Sequence, residues 1–214
     1  MSKFVNKIIK MMITSDFFLN LGWGLLSPVF AIFIVKNIAY GDTLEAARVA
    51  GFASLIYWLV KSILQIPIGH YLDKNHGEKD DFWLMTLGTS LVALIPIGYL
   101  FSQQSWHIYI LQAINAIGMS MVIPSWSAIF TRHIDKGREA LQWSMESTFL
   151  GIGAGIAGGM GGIIASVYGF GAVFVCVSSF NIISVIFLFL IKNDISLKNK
   201  GTIRIKPIKP FIEP

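Results

Sequence analysis

Long apolar runs almost free of charge take up most of this chain, and they restrict its fold before any other feature does. Six segments, roughly 11–36, 46–70, 82–101, 106–131, 140–166 and 170–192, approach or exceed the ~20 apolar residues a helix needs to cross a bilayer. Inside lipid the backbone has no water to bond, so segments of this kind satisfy their N–H and C=O groups internally, as helices. The composition agrees: 54% of the 214 residues are hydrophobic and 14% are charged, against about a quarter charged in soluble domains. An all-α integral membrane protein with six transmembrane helices is expected.

The breaks between the runs are short: KNIAYGDT, IGHYLDKNHGEKDDFW, SQQSWH, RHIDKGRE and a YGFG turn. They divide the chain into a basic start (1–10), a transmembrane domain (11–192) and a basic tail (193–214). The start resembles the basic region of a signal peptide. The apolar stretch behind it is too long, however, and no small-x-small cleavage site follows, so a retained helix is expected. Fourteen of the seventeen Lys and Arg residues fall in the start, the second break, the fourth break and the tail with Lys192 at its edge. By the positive-inside rule both termini face the cytoplasm, as an even number of spans requires, and the plasma membrane is the expected location.

Several function classes drop out. Cys176 is the single cysteine, so there is neither a disulfide framework nor a metal-ligand spacing. His70, His76, His107 and His133 lie in or near breaks and cannot serve a serine nucleophile within a span. Paired Asn-Pro-Ala segments and a Gly-rich phosphate loop are both missing. Basic residues follow topology instead of forming one patch, which argues against nucleic acid. No enzyme activity, cofactor or metal is expected.

A repeat is visible. GWGLLSP (Gly22 to Pro28) recurs in form as GMSMVIP (Gly118 to Pro124), each followed by Ala-Ile-Phe. One copy lies in the first span and one in the fourth, which run in opposite directions, as in an inverted repeat of three plus three helices.

These residues carry a resemblance. Gly69, Asp73, Lys74 and Gly77 in the second break are similar to the loop between helices two and three of the major facilitator superfamily, with one extra residue before the second glycine. Glu78-Lys79 stands where that family has two basic residues. LGWGLLSPV (Leu21 to Val29) resembles its first-helix element, with Ala31 in place of the final proline. KGREALQ, the glycine-rich run after it and YGFGAVF resemble its fifth and sixth helices. Ile114 and Ile156 stand where the family's Arg-x-x-x-Gly and Gly-Pro elements for antiport would be. The similarity extends over 11 to about 192, one six-helix half of a twelve-helix fold. It implies a permease that moves a small solute by alternating access. It also implies that Asp73 and Lys74 gate the cytoplasmic side by pairing with neighbouring helix ends.

Polar residues within the spans fall on faces. At about 100° per residue, Asp16, Asn20, Trp23 and Ser27 share one face of the first helix, and Ser54, Tyr57, Lys61 and Gln65 share one of the second. Gln112, Asn115, Met119 and Trp126 share one of the fourth. The resemblance implies that helices one, two, four and five line a cavity, making Asp16, Asn20, Trp23, Lys61, Gln65, Gln112, Asn115 and Glu146 its candidate lining and coupling residues. Lys61 lies roughly 12 Å and Glu146 roughly 9 Å deep at about 1.5 Å per residue, so pairing of the two is expected. Gly151, Gly155 and Gly159 form a stripe predicted to pack against another helix, with Gly153, Ala157 and Glu146 on the cavity side. The expected partners are lipid, a small solute, and a second copy or second six-helix half. A non-transporting assembly protein, or the remnant of a split transporter, is the alternative.

Overall fold

The computed structural model describes residues 5–75 and 77–198, and no strand occurs among them. The helices are α1 (Lys7–Phe33), which runs into a π-helical turn at Ile34–Ile38, α2 (Thr43–Asn75), α3 (Glu78–Leu100), α4 (Ser105–His133), α5 (Glu139–Leu190) and the short α6 (Lys192–Lys198). The basic tail beyond 198 lies outside the described residues.

Local chemistry sets the helix ends. Asn6 caps α1 by accepting the Ile9 N–H at 2.9 Å, and its amide donates to the His133 carbonyl at 2.5 Å. Tyr40 (φ 50°) and Gly41 (φ 97°) reverse the chain after the π-turn, and Asp42 then accepts the N–H groups of Leu44 and Glu45 at 2.9 and 3.0 Å. Glu78, Asp80 and Asp81 occupy the first turn of α3, where the helix dipole favours negative charge.

Among the described residues five helices are long and apolar enough to cross a membrane, but α5 holds 52 residues. At about 1.5 Å per residue it measures roughly 78 Å, against a hydrocarbon core of about 30 Å. It is broken at Gly169 (φ 81°, ψ 173°), a conformation glycine adopts without Cβ strain. The contacts with α1 show what the break does. Gly153 abuts Phe17 and Gly161 abuts Leu25, so numbers rise together along the first arm. On the second arm Val177 and Asn181 abut Gly22 while Ser184 bonds Ser15 at 2.8 Å, so numbers run oppositely. The chain reverses at Gly169, within the expected YGFG turn.

Packing is uneven. α1 lies against both arms of α5, α3 packs on α4 and α5, and α2 packs chiefly on α4. Only 11% of the most apolar window of α2 is buried, against 39–50% in the other spans, which makes α2 an outlying wall. One apolar core gathers Leu25, Phe33, Ile34, Tyr99 and Phe174, with Phe33 and Phe174 edge to face at 4.9 Å. The other gathers Ile9, Met12, Phe82, Met85, Phe130 and Leu188. The first lies near the turns at Tyr40 and Gln103, which approach at 3.5 Å. The second lies at the opposite end, where Lys7 pairs with Asp194 at 2.8 Å.

The glycine stripe is not packed within this unit. Gly151, Gly155 and Gly159 are exposed, and a Cβ at any of them would meet nothing within 4 Å. The packing face of α5 is instead Gly153, Ala157 and Gly161, the side expected to face a cavity. A Cβ on Gly161 would lie 2.2 Å from the Leu25 carbonyl oxygen, so backbone meets backbone there. Periodicity finds both faces of small residues but does not say which one α1 occupies.

Candidate functional site

Because α2 stands away from α1, an open cleft of about 460 Å³ lies between α1, α2 and α4. Asn20, Trp23 and Phe30 come from α1, Ala50, Ser54 and Tyr57 from α2, and Gln112, Asn115 and Met119 from α4. Polar side chains inside a span need partners or a water-filled space. The Asn20 amide donates to the backbone oxygen and carboxylate of Asp16 at 2.9 and 3.2 Å. The Asn115 amide approaches Gln112 Oε1 at 3.5 Å, while its own Oδ1 is buried and accepts nothing.

One turn from Asn20, the Asp16 carboxyl faces that of Glu146 from α5. The expected Lys61–Glu146 pair does not form among the described residues. Lys61 instead places its ammonium 4.5 Å from the Trp58 ring centre and 5.8 Å from that of Tyr57. The faces of α2 and α5 that carry the two charges do not pack together. Depth alone cannot report that. Gln65, one turn beyond Lys61, is half-buried.

A second groove, of about 410 Å³, lies toward the end that carries the N-terminus, and Gly69, Leu72, Asp73, Pro124, Thr131 and Arg132 help line it. Gly69 faces Pro124, and a Cβ there would sit at an ordinary 3.9 Å from that ring. Asp73 and Lys74 are exposed, and Gly77 is the residue before α3. Neither Asp73 nor Lys74 forms an ion pair among the described residues. The pairing belongs to other residues: fully buried Asp81 on α3 binds Arg132 on α4, and Glu78 lies 3.7 Å from buried His133. Beside them Gln142 donates to Asp135 at 2.7 Å and accepts its N–H at 3.2 Å, which fixes the α4–α5 turn. These residues were missed as a set. Asp81 shares a helix face with buried Met85 and Gly88, and that was the available signal.

Gly22 and Gly118 both permit close crossings. Their Cβ positions would meet the Val177 carbonyl at 3.1 Å and the Gly88 carbonyl at 3.0 Å. Pro28 is exposed on α1, and Pro124 lines the second groove.

Long apolar helices around a polar cleft, with most of the ion pairs at one end, define an integral membrane protein of the transporter class. The chain belongs to the Major Facilitator Superfamily, whose family model matches residues 12–213. It is 26% identical over 190 residues to an uncharacterized MFS-type transporter of Methanocaldococcus jannaschii. That match covers 88% of this chain and 46% of the relative, so the chain spans about half the relative's length.

Proposed function

We propose that this chain is one half-unit of a secondary active transporter that moves a small solute by alternating access. It crosses the bilayer six times with both termini cytoplasmic, and a second six-helix unit completes the cleft. That unit is a second copy of this chain or a separate second half. The observation that carries the reading is the cleft itself. Asn20, Tyr57, Gln112 and Asn115 face a space that this half leaves open, and hydrocarbon is a costly neighbour for such groups. Reversal at Gly169 supports the sixth crossing. The crossings at Gly22 and Gly118 support the inverted repeat. The first helix meets the last as the fourth meets the third, each through a glycine against a carbonyl. The uncovered stripe of Gly151, Gly155 and Gly159, together with the exposed face of α2, supplies surface for the second unit.

Two measurements test this. Native mass in nanodiscs should give a dimer or a complex with a second six-helix chain, and a monomer that transports alone refutes the pairing. Proteoliposomes screened for solute-driven currents should give a saturable response that Asn115→Leu abolishes. Folded, paired protein without such a response would favour the non-transporting assembly role.

A further inference from the structure

We propose that the face made by α3 and the second arm of α5 binds an anionic phospholipid, with Lys79 and Lys192 on its phosphate group and an uncovered apolar seam below them against an acyl chain. The two helices run oppositely and close together. The Phe82 and Trp83 rings each lie 6.3 Å from the Phe189 ring, and farther along the Ser178 hydroxyl donates to the Ala93 carbonyl at 2.8 Å. Neither element contributes a residue to the cleft or to the second groove. This face therefore lies apart from both, and the inference needs only that α3 and α5 cross the bilayer.

The head of the site comes from the helix ends. Lys79 is the second residue of α3, and Lys192 follows directly on Ile191, which caps α5. Trp83 stands one turn from Lys79 on the same face, and the Lys192 ammonium lies 5.0 Å from the centre of its ring. Two basic side chains thus neighbour one indole. That indole is roughly 7 Å into the span at about 1.5 Å per residue, the level at which tryptophan meets lipid headgroups. The carboxylates nearby are already engaged. Asp194 pairs with Lys7 at 2.8 Å, Asp81 binds Arg132, Glu78 lies 3.7 Å from His133, and Asp80 also has a partner. Neither Lys79 nor Lys192 forms an ion pair among the described residues, and both are exposed. An anionic group at the interface is the complement they lack.

Below Trp83 the face turns apolar. Leu87 and Leu94 continue it on α3, while Ile182, Ile186 and Phe189 share the adjoining face of α5, and all five are exposed. Trp83 to Leu94 covers roughly 16 Å, about one leaflet of a hydrocarbon core about 30 Å thick. A lipid chain leaving the cationic head therefore has a seam to follow. Free phosphate would use only the head. A zwitterionic lipid brings its own cation to a ring that Lys192 already covers.

Native mass spectrometry of the full chain in detergent tests this, with phosphatidylglycerol and phosphatidylcholine of the same chains and with glycerol phosphate. Phosphatidylglycerol should bind at least about fivefold tighter than phosphatidylcholine, and glycerol phosphate should not saturate at the same concentrations. Lys79→Gln combined with Lys192→Gln should weaken phosphatidylglycerol at least about tenfold. Lys74→Gln combined with Lys136→Gln removes the same charge from exposed positions at the same end, and should change binding less than about twofold. An unchanged unfolding midpoint shows that the variants are folded. If they are not, the comparison of headgroups on the parent protein decides alone. Equal binding of the two lipids, the same effect from both variant pairs, or glycerol phosphate binding as tight as the lipid overturns the inference.

Discussion

Replacing Gly161 by alanine tests the packing that holds the half-unit together. The added methyl would lie 2.2 Å from the Leu25 carbonyl oxygen, 2.9 Å from its carbon and 3.1 Å from the Leu25 Cα. All three are backbone atoms of α1, so no rotamer change relieves the clash and the helices must part by roughly an ångström, with loss of dispersion contacts along the interface. Overpacking of this kind costs about 1–3 kcal/mol. Alanine returns about 1 kcal/mol of helix propensity. Gly155→Ala on the same helix gains the same propensity and meets no atom within 4 Å. The difference between the two variants therefore isolates the clash, and about 1–3 kcal/mol is expected with Gly161→Ala the less stable. Reversible unfolding in mixed micelles of increasing SDS, followed by tryptophan fluorescence, reads that difference directly. Equal stability, or a more stable Gly161→Ala, would refute the close approach of α1 and α5.

The buried pair gives a second prediction. Asp81→Asn or Arg132→Gln alone should each destabilise by about 2–4 kcal/mol, and the double variant by less than the sum, because a single change strands the other group; the same unfolding assay reads the cycle. For Lys61→Met and Glu146→Gln, the double-mutant cycle should be additive to within about 0.5 kcal/mol, since the two do not meet. Cysteines placed at Gly41 and Gln103, which are both exposed, should label only from outside the cell with a membrane-impermeant maleimide; labelling from the cytoplasm alone would sink the proposed topology.

What could be read from the sequence divides along physical lines. The helices were legible because backbone satisfaction in lipid leaves little else for twenty apolar residues, and the Gly169 turn because glycine punctuates such a run. The cleft face was legible in part: Asn20, Trp23, Tyr57, Gln112, Asn115 and Met119 share faces by helical period and line one space, whereas Asp16, Lys61, Gln65 and Glu146, expected with them, are not among its lining residues. Partner choice was not. Asp16 and Glu146, far apart in sequence, face each other because α1 runs along the first arm of α5, and no local pattern encodes that register. Asp73 and Asp81 stand in one charged break, yet only Asp81 turns inward. The signal lay in the apolar face it continues.

The proposed motion places opposite demands on the two sides of α5. A half-unit that rocks as a body must be rigid within. Gly153, Ala157 and Gly161 meet α1 at contact distances that tolerate no sliding, while Asp81–Arg132 and Asp135–Gln142 tie the helix ends at one side. It must also meet its counterpart through a surface that can change register. Gly151, Gly155 and Gly159 present a flat stripe without a side chain to interlock, so a second helix can approach closely at more than one angle. Bulk on the inner face should therefore unfold the unit. Bulk on the outer face should leave it folded and weaken its pairing. Gly155→Leu separates the two demands in one protein: its unfolding midpoint should match the parent's while the dimer fraction in nanodiscs falls. If the dimer fraction stays unchanged, the second unit sits elsewhere.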